Sequence, residues 1–329
     1  MIRKEIIDYL AEKTNVKQKE LIEKDVILHR LLFELLLNRK FDSEYAFKGG
    51  TCLMKCHLGY YRFSEDLDFT WLNTKILKNK SEKQIRKLLS IEINYLASLL
   101  EKISKKLNLD FKADKRNKKY FDFGGSNAYA TFKLWDNNEF IKIQVNYREV
   151  LFYPVRKKTA NTMIDKDIKK EFSLIFPEES EFLLKDINLY VYDLKEILVE
   201  KIRAILTRKG VKARDFIDVY MIGKDKKLKF EKFEFEIISK VENAMKFEKY
   251  RVNFKDKLES KPIISLGSEE YLLLRPIGED FHEFLERMNK FIEKPISSSF
   301  SSLNLFRKKL RQKKLLKKVS SKSYFYSSP

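Results

Sequence analysis

Two aspartates one residue apart, Asp66 and Asp68, stand in a run (Asp66-Leu67-Asp68-Phe69) that alternates polar and apolar residues as a half-buried strand does. On a strand, residues i and i+2 project from the same side, roughly 7 Å apart along the chain. Carboxylates so placed converge on metal ions about 3.5–4 Å apart, the arrangement used in phosphoryl and nucleotidyl transfer. Hard oxygen ligands of this kind suit Mg²⁺ or Mn²⁺ rather than zinc. Upstream, Gly49 and Gly50 lack a Cβ, so the backbone there turns sharply and approaches a ligand closely. The segment from Thr51 to Leu58 contains neither Pro nor Gly and reads as a short helix. Its first turn offers backbone N–H groups and a positive dipole end to phosphate oxygens. Thr51 and Lys55, four residues apart, share a face of that helix and are expected to point at the same anion. Taken singly, an Asp-x-Asp is more often a solvated strand face, and a Gly-Gly pair is more often a plain loop. Strand, Gly-Gly-Thr, helix and Asp-x-Asp strand together within residues 45–71 point to a site for a nucleoside triphosphate and metal.

Elements on either side must hold this stretch. Residues 1 to about 38 read as two helices, the second capped by Thr14 or Asn15 and running through Leu21, Ile22, Val26, Leu28, Leu32, Leu35 and Leu36. Ser81 to Asn108 is a long helical pattern with Ser81 as its cap. Asn127–Trp135 and Glu139–Tyr147 are β-prone runs around the turn Asp136-Asn137-Asn138. Pro177 marks a break. Asp193 then opens a helix with Glu196 three residues on, the capping-box spacing, and Gly210 stops it. A further helix begins at Arg214, and another carries Phe281, Phe284, Leu285, Met288 and Phe291.

Composition narrows the partners. The chain has 329 residues, 43% of them hydrophobic and 13% aromatic, which is a globular balance with length enough for two domains. Its 68 Lys and Arg against 48 Asp and Glu give a net charge of +20, which favours a polyanion such as a nucleic acid. No apolar run approaches a membrane span, and the charged amphipathic start MIRKEIIDYLAEK is not a signal peptide. A cytoplasmic protein without a membrane partner is expected. Cys52 and Cys56, beside His57, are too few ligands for structural zinc and read as small buried residues on the inner helix face.

Phe47-Lys48-Gly49-Gly50-Thr51-Cys52-Leu53 followed by Arg62-Phe63-Ser64-Glu65-Asp66-Leu67-Asp68-Phe69 resembles the AbiEii/AbiGii-type nucleotidyltransferases, toxins of type IV toxin–antitoxin systems within the DNA polymerase β-like superfamily. A second block, Glu200-Lys201-Ile202-Arg203-Ala204, Arg208 and Arg214-Asp215-Phe216-Ile217-Asp218-Val219-Tyr220, resembles the family's EK-x-x-A…R…RD-x-x-D-x-Y pattern. The resemblance implies an α+β fold: a polymerase β-like nucleotidyltransferase core with a mixed sheet and N-terminal helices at 1–165, a mainly helical C-terminal domain at 166–305 that completes the active site, and a basic tail at 306–329. It implies catalytic roles for Asp66, Asp68, Lys201 and Asp215, with Mg²⁺ or Mn²⁺ on Asp66 and Asp68. Lys201 would act on the triphosphate, and Asp215 would orient Lys201 or the acceptor hydroxyl. Lys48, Gly49, Gly50, Thr51, Lys55, Arg62 and Ser64 are the candidate nucleotide-binding residues, and Arg203, Arg208 and Arg214 are candidates for lining the same cleft. The implied partners are an NTP, an RNA acceptor with the 3′ end of tRNA foremost, and a cognate antitoxin protein.

One position departs from the family pattern. Where the second strand of the hairpin carries a third carboxylate in that pattern, this chain has Gln144, sharing a strand face with Lys142 and Asn146. Glu149 is the nearest substitute, and a single metal on Asp66 and Asp68 is the other solution. The same departure keeps open a catalytically weak or inactive nucleotide- or RNA-binding relative, and a phosphotransferase on this fold is a further alternative.

Ser297–Ser302 reads as a linker, and Phe306–Lys322 holds basic residues and no acid. It reads either as a solvated tail or as an arm on RNA phosphates. If it is an arm, RNA affinity falls steeply with added salt in the full chain and less steeply once residues 306–329 are removed. Equal salt slopes in filter-binding titrations would show that the tail makes no phosphate contact.

Overall fold

In the computed structural model, residues 2–125, 128–259 and 267–292 are described. Asn127, the serine-rich stretch 297–302 and the basic segment 306–329 lie outside them. The N-terminal amphipathic pattern folds as α1 (Lys4–Thr14), α2 (Lys19–Leu36) and a short α3 (Arg39–Glu44). Asn15 does not cap α2, which starts after Gln18. It ends α1 instead, in the left-handed region at φ 55°, with its amide bonded to the carbonyls of Ala11 and Glu12. Asparagine tolerates that conformation better than most residues, so the same polar side chain that suits a start also makes a stop. Asn38 caps α3, its side-chain oxygen accepting from the amides of Lys40 and Phe41 at 3.1 Å each.

The central stretch follows in the expected order: β1 (Tyr45–Lys48), α4 (Gly49–Leu53) continued by a π-helical turn (Met54–Leu58), and β2 (Asp66–Trp71). α5 (Glu82–Leu107) starts on a closed capping box between Ser81 and Gln84. Next come β3 (Phe121–Gly124), β4 (Tyr129–Asp136), β5 (Glu139–Asn146) and β6 (Arg156–Ala160). Asn137, at φ 53°, makes the tight turn of the β4–β5 hairpin. α6 (Lys166–Ile175) and α7 (Pro177–Leu183) are separated at Pro177, which stands in the first turn of α7 where its missing N–H costs nothing. β7 (Ile187–Val191) completes a seven-stranded sheet in the order β3-β4-β5-β2-β1-β7-β6. The sheet is mixed: β2 runs parallel to β5 and β1 parallel to β7, while the other pairs are antiparallel.

Among the described residues five α-helices follow: α8 (Leu194–Thr207), α9 (Ala213–Lys226), α10 (Glu234–Ala244), α11 (Glu248–Glu259) and α12 (Phe281–Phe291). Asp193 caps α8 by accepting from the Lys195 amide at 2.9 Å. Glu196 does not turn back to it as a capping box would. Its Oε2 accepts from the amides of Phe152 and Tyr153 at 2.9 and 3.0 Å, fastening the loop after β5.

By compactness the chain forms two units, Met1–Leu198 with Leu266–Pro276, and Val199–Ser265 with the segment from Ile277. Residues 166–198 therefore stay with the sheet. So does the return segment, because the Phe63 amide donates to Leu272 O (2.7 Å) and the Leu274 amide to Tyr61 O (2.9 Å). The first unit's core is built from Leu67, Phe69 and Trp71 of β2, Ala46 and Phe47 of β1, and Ile141, Ile143 and Val145 of β5, all buried. β2 and β5 supply alternate residues, as half-buried strands do, whereas Tyr45, Ala46 and Phe47 of β1 are buried in succession, on both faces of the sheet.

Lys55 is among the charged side chains that this unit encloses. The segment Thr51–Leu58 is apolar nearly all round and buried along its length, and Lys55 goes inside with it at 0% exposure. Its ammonium lies 2.8 Å from Asp25 Oδ1 of α2 and donates to the Tyr60 hydroxyl (2.6 Å), which in turn donates to Asp25 Oδ2 at 2.8 Å. His29, one turn beyond Asp25 and also fully buried, is held well below the usual imidazole range by burial and then by the charge of Lys55. Breaking such a pair from one side strands the other charge and costs about 3–5 kcal/mol, whereas replacing both is near neutral. Lys55→Met is accordingly expected to destabilise by that order in urea melts, with Asp25→Asn/Lys55→Met recovering most of the loss. Additive losses would show that the two charges are not coupled.

Candidate active site

The register of three strands assembles the acidic cluster. β1 and β2 pair Lys48 with Asp68, and the parallel ladder of β2 with β5 pairs Asp66 with Lys142 and Asp68 with Gln144. Residues paired across a sheet project from the same side. Asp66 and Asp68 are thus flanked by Lys142 and Gln144 on one side and by Lys48 on the other. Lys142 Nζ reaches Asp66 Oδ2 at 3.0 Å.

The two glycines are required for different reasons. Gly49 sits at φ 79°, and a Cβ built on it would come within 2.4 Å of Asp68 Oδ2. The carboxylate therefore occupies the space that any other residue would fill. At Gly50 a Cβ would lie 2.4 Å from Arg62 Nη2 and 3.2 Å from Ser64 Oγ. Arg62 is buried beneath this loop, donating to Phe63 O at 2.6 Å. The Thr51 hydroxyl also turns inward, to the Asp66 carbonyl and to Ser64 Oγ at 2.8 Å. Arg62, Ser64 and Thr51 thus brace the loop from below.

Lys55 is a correction. The face it shares with Thr51 is the inner one, and its charge is spent on Asp25, so it does not reach toward an anion beside Gly49. Lys48 lies 3.9 Å from Glu149 Oε2 and over the Tyr192 ring at 5.5 Å, with its side chain 12% exposed. Glu149 in turn accepts from Asn146 Nδ2 at 2.5 Å. Glu149, the nearest substitute for the missing carboxylate, is engaged there. Cys52 and Cys56 are buried free thiols, and burial pushes the Cys52 thiol well up.

A second cluster forms in the helical unit. Lys201 of α8 stands between two acids of α9, 3.0 Å from Asp215 Oδ1 and 2.5 Å from Asp218 Oδ2. Arg208 Nη1 meets the other Asp215 oxygen at 2.6 Å. Both aspartates are buried, so the charges neutralise one another in a low-dielectric setting. Burial alone would raise the Asp215 carboxyl, but Lys201 and Arg208 outweigh it and hold the group below its ordinary range. Lys201 is thereby fixed in direction. Asp218, absent from the expected site, is as close to Lys201 as Asp215 is, and its spacing of three residues on a helix is the signal that places both on one face.

A model of the nucleotidyl transferase AbiEii toxin family of type IV toxin–antitoxin systems matches residues 30–309. The chain belongs to this family. As an AbiEii toxin it is a nucleotidyltransferase, a membership that implies an NTP substrate and an antitoxin counterpart. Among solved structures it is similar to MenT4, a nucleotidyltransferase toxin from Mycobacterium tuberculosis H37Rv, at 18% identity over 87% of this chain and 89% of that one, with a TM-score of 0.52. At that identity the likeness shows a shared α+β fold. No curated protein matches. Among the described residues no helix is long and apolar enough to cross a membrane. Asp25, which neutralises Lys55, lies before the first residue that the family model matches.

The glycines supply a contrast. Gly210 also has positive φ (66°) but nothing within 4 Å of a built Cβ. Gly210→Ala should cost only the conformational strain, about 1 kcal/mol. Gly49→Ala adds a backbone-enforced clash with Asp68, and is expected to lose nucleotidyl transfer by at least about a hundredfold, the size of loss that about 1 Å of misplacement brings. Equal, mild effects of the two substitutions on activity would show that the Gly49–Asp68 contact has no role.

Proposed function

We propose that this toxin transfers a nucleoside monophosphate from an NTP to the 3′ end of an RNA, tRNA foremost, and that the transfer depends on a divalent metal. The observation that carries it is the Asp68 carboxylate lodged in the space left by the missing Gly49 side chain, beside Asp66 on the same strand face. This donor set is all oxygen and fits Mg²⁺ or Mn²⁺. Asp66 and Asp68 would hold the ion, which when bound neutralises charge on the triphosphate. The Gly49–Gly50 backbone, free of side chains, lets phosphate oxygens approach the amides of the following turn. Lys48 is the cation nearest that turn in register, and it adds positive charge there.

In the helical unit, Lys201 would act as a fixed cation that offsets charge on a transferred phosphate and departing pyrophosphate. Asp215 and Asp218 position it, and Arg208 restrains Asp215. The nucleophile is the acceptor's 3′ hydroxyl: its oxygen bonds to the α-phosphorus while the bond from that phosphorus to the β-phosphate oxygen breaks. The net charge of +20 supports a polyanionic acceptor.

Incubation with each α-labelled NTP, Mg²⁺ and total tRNA is expected to label RNA. Asp66→Ala, Asp68→Ala and Lys201→Met should each remove the label by about a hundredfold or more. Absence of labelling with all four nucleotides defeats the RNA-acceptor reading, and transfer of a γ-label to protein would mark a phosphotransferase.

A further inference from the structure

We infer that Lys142 is the built-in counter-cation of Asp66, taking by charge the place of a second metal ion, so that the acidic cluster holds one divalent cation. The inference rests on the metal-binding reading of Asp66 and Asp68 and concerns how many ions that site takes. Its first support is register: Asp66 lies opposite Lys142 in a parallel ladder, and the two side chains meet at 3.0 Å. Its second is the neighbouring position, where Asp68 lies opposite Gln144. A two-ion cluster needs a further carboxylate to balance its added charge. The amide brings none, and the ammonium beside it offsets the charge of Asp66.

A third support comes from the other cations around the cluster. Lys133, opposite Lys142 on β4, is paired with Asp122 at 2.6 Å. Lys24 is paired with Glu65 at 2.9 Å, and Lys48 faces Glu149 at 3.9 Å. These three ion pairs use acids outside the Asp66–Asp68 pair, although the Asp66 charge also acts on Lys24. Lys142 makes its ion pair with Asp66 itself, one of the two expected metal ligands. It remains one-third exposed, on a strand whose opposite face carries the core residues Ile141 and Ile143, so the ammonium can be changed without opening the core.

Mn²⁺ binding to the full chain, counted by electron paramagnetic resonance of the free ion with and without an α,β-methylene nucleoside triphosphate, tests this directly. The wild type should take one protein-bound Mn²⁺. Lys142→Met should bind that ion at least about tenfold more tightly, since a like charge beside the cation has been removed. Lys142→Met/Gln144→Glu should take two. Lys142→Arg keeps the charge and should behave as wild type, and Lys142→Gln replaces the Met variant if the latter fails to fold in a thermal melt. Two ions in the wild type, unchanged affinity on removing the charge, or no Mn²⁺ bound by any variant would each overturn the inference. The count needs neither acceptor nor turnover, so failure of the RNA-acceptor reading leaves it untouched.

Discussion

The site depends on one close approach, the Gly49 backbone against the Asp68 carboxylate. The antiparallel pairing of β1 with β2 places Lys48 opposite Asp68, so the residue after Lys48 must turn away where that carboxylate stands. A left-handed glycine makes the turn, and its missing Cβ leaves room for the acid. The same step directs the chain into α4 with its first amides at the end of the strand pair. Loop conformation and helix entry thus follow from a single contact. Arg62, Ser64 and Thr51 hold the loop from beneath, through bonds that leave its outer surface to the backbone.

Two clusters show how buried charges are offset by their neighbours. Lys55 enters the core only because Asp25 and Tyr60 surround its ammonium, and the Tyr60 hydroxyl is pushed well up by burial and by the adjacent carboxylate, which keeps it a donor. In the helical unit Lys201, Asp215, Asp218 and Arg208 cancel to zero, each acid contacting Lys201. Such networks contribute little net stability compared with an apolar core but specify direction, since any displaced member leaves a charge unpaired. Lys201 is held in direction in this way. Lys55 shows the opposite use of the same physics, a lysine consumed by the fold.

Much of this was legible in the amino-acid order. Alternation at Asp66–Phe69, the hairpin around Asn137, the helix from Ser81 and the break at Pro177 are local patterns, and local geometry follows them. Asn15 and Glu196 show the limit. Both carry the right side chain for a helix start, yet Asn15 ends a helix and Glu196 serves two amides of the loop after β5. A polar side chain near a helix end has several ways to be satisfied, and only the surrounding chain selects among them. Lys55 failed for the same reason: helical spacing set which residues share a face, and burial set which way that face turned.

By itself, the sequence determined the acidic pair, the glycine that lets a carboxylate come close, the family and the α+β class, because each is written in residue type and short spacing. Tertiary structure decided which charges meet. Asp66 with Lys142, Lys55 with Asp25 and Lys201 with both Asp215 and Asp218 are pairings between separate elements, fixed by strand register and helix packing rather than by neighbours in the chain. Electrostatic partnership is a matter of distance through space, and the linear order carries no measure of that until the backbone has folded.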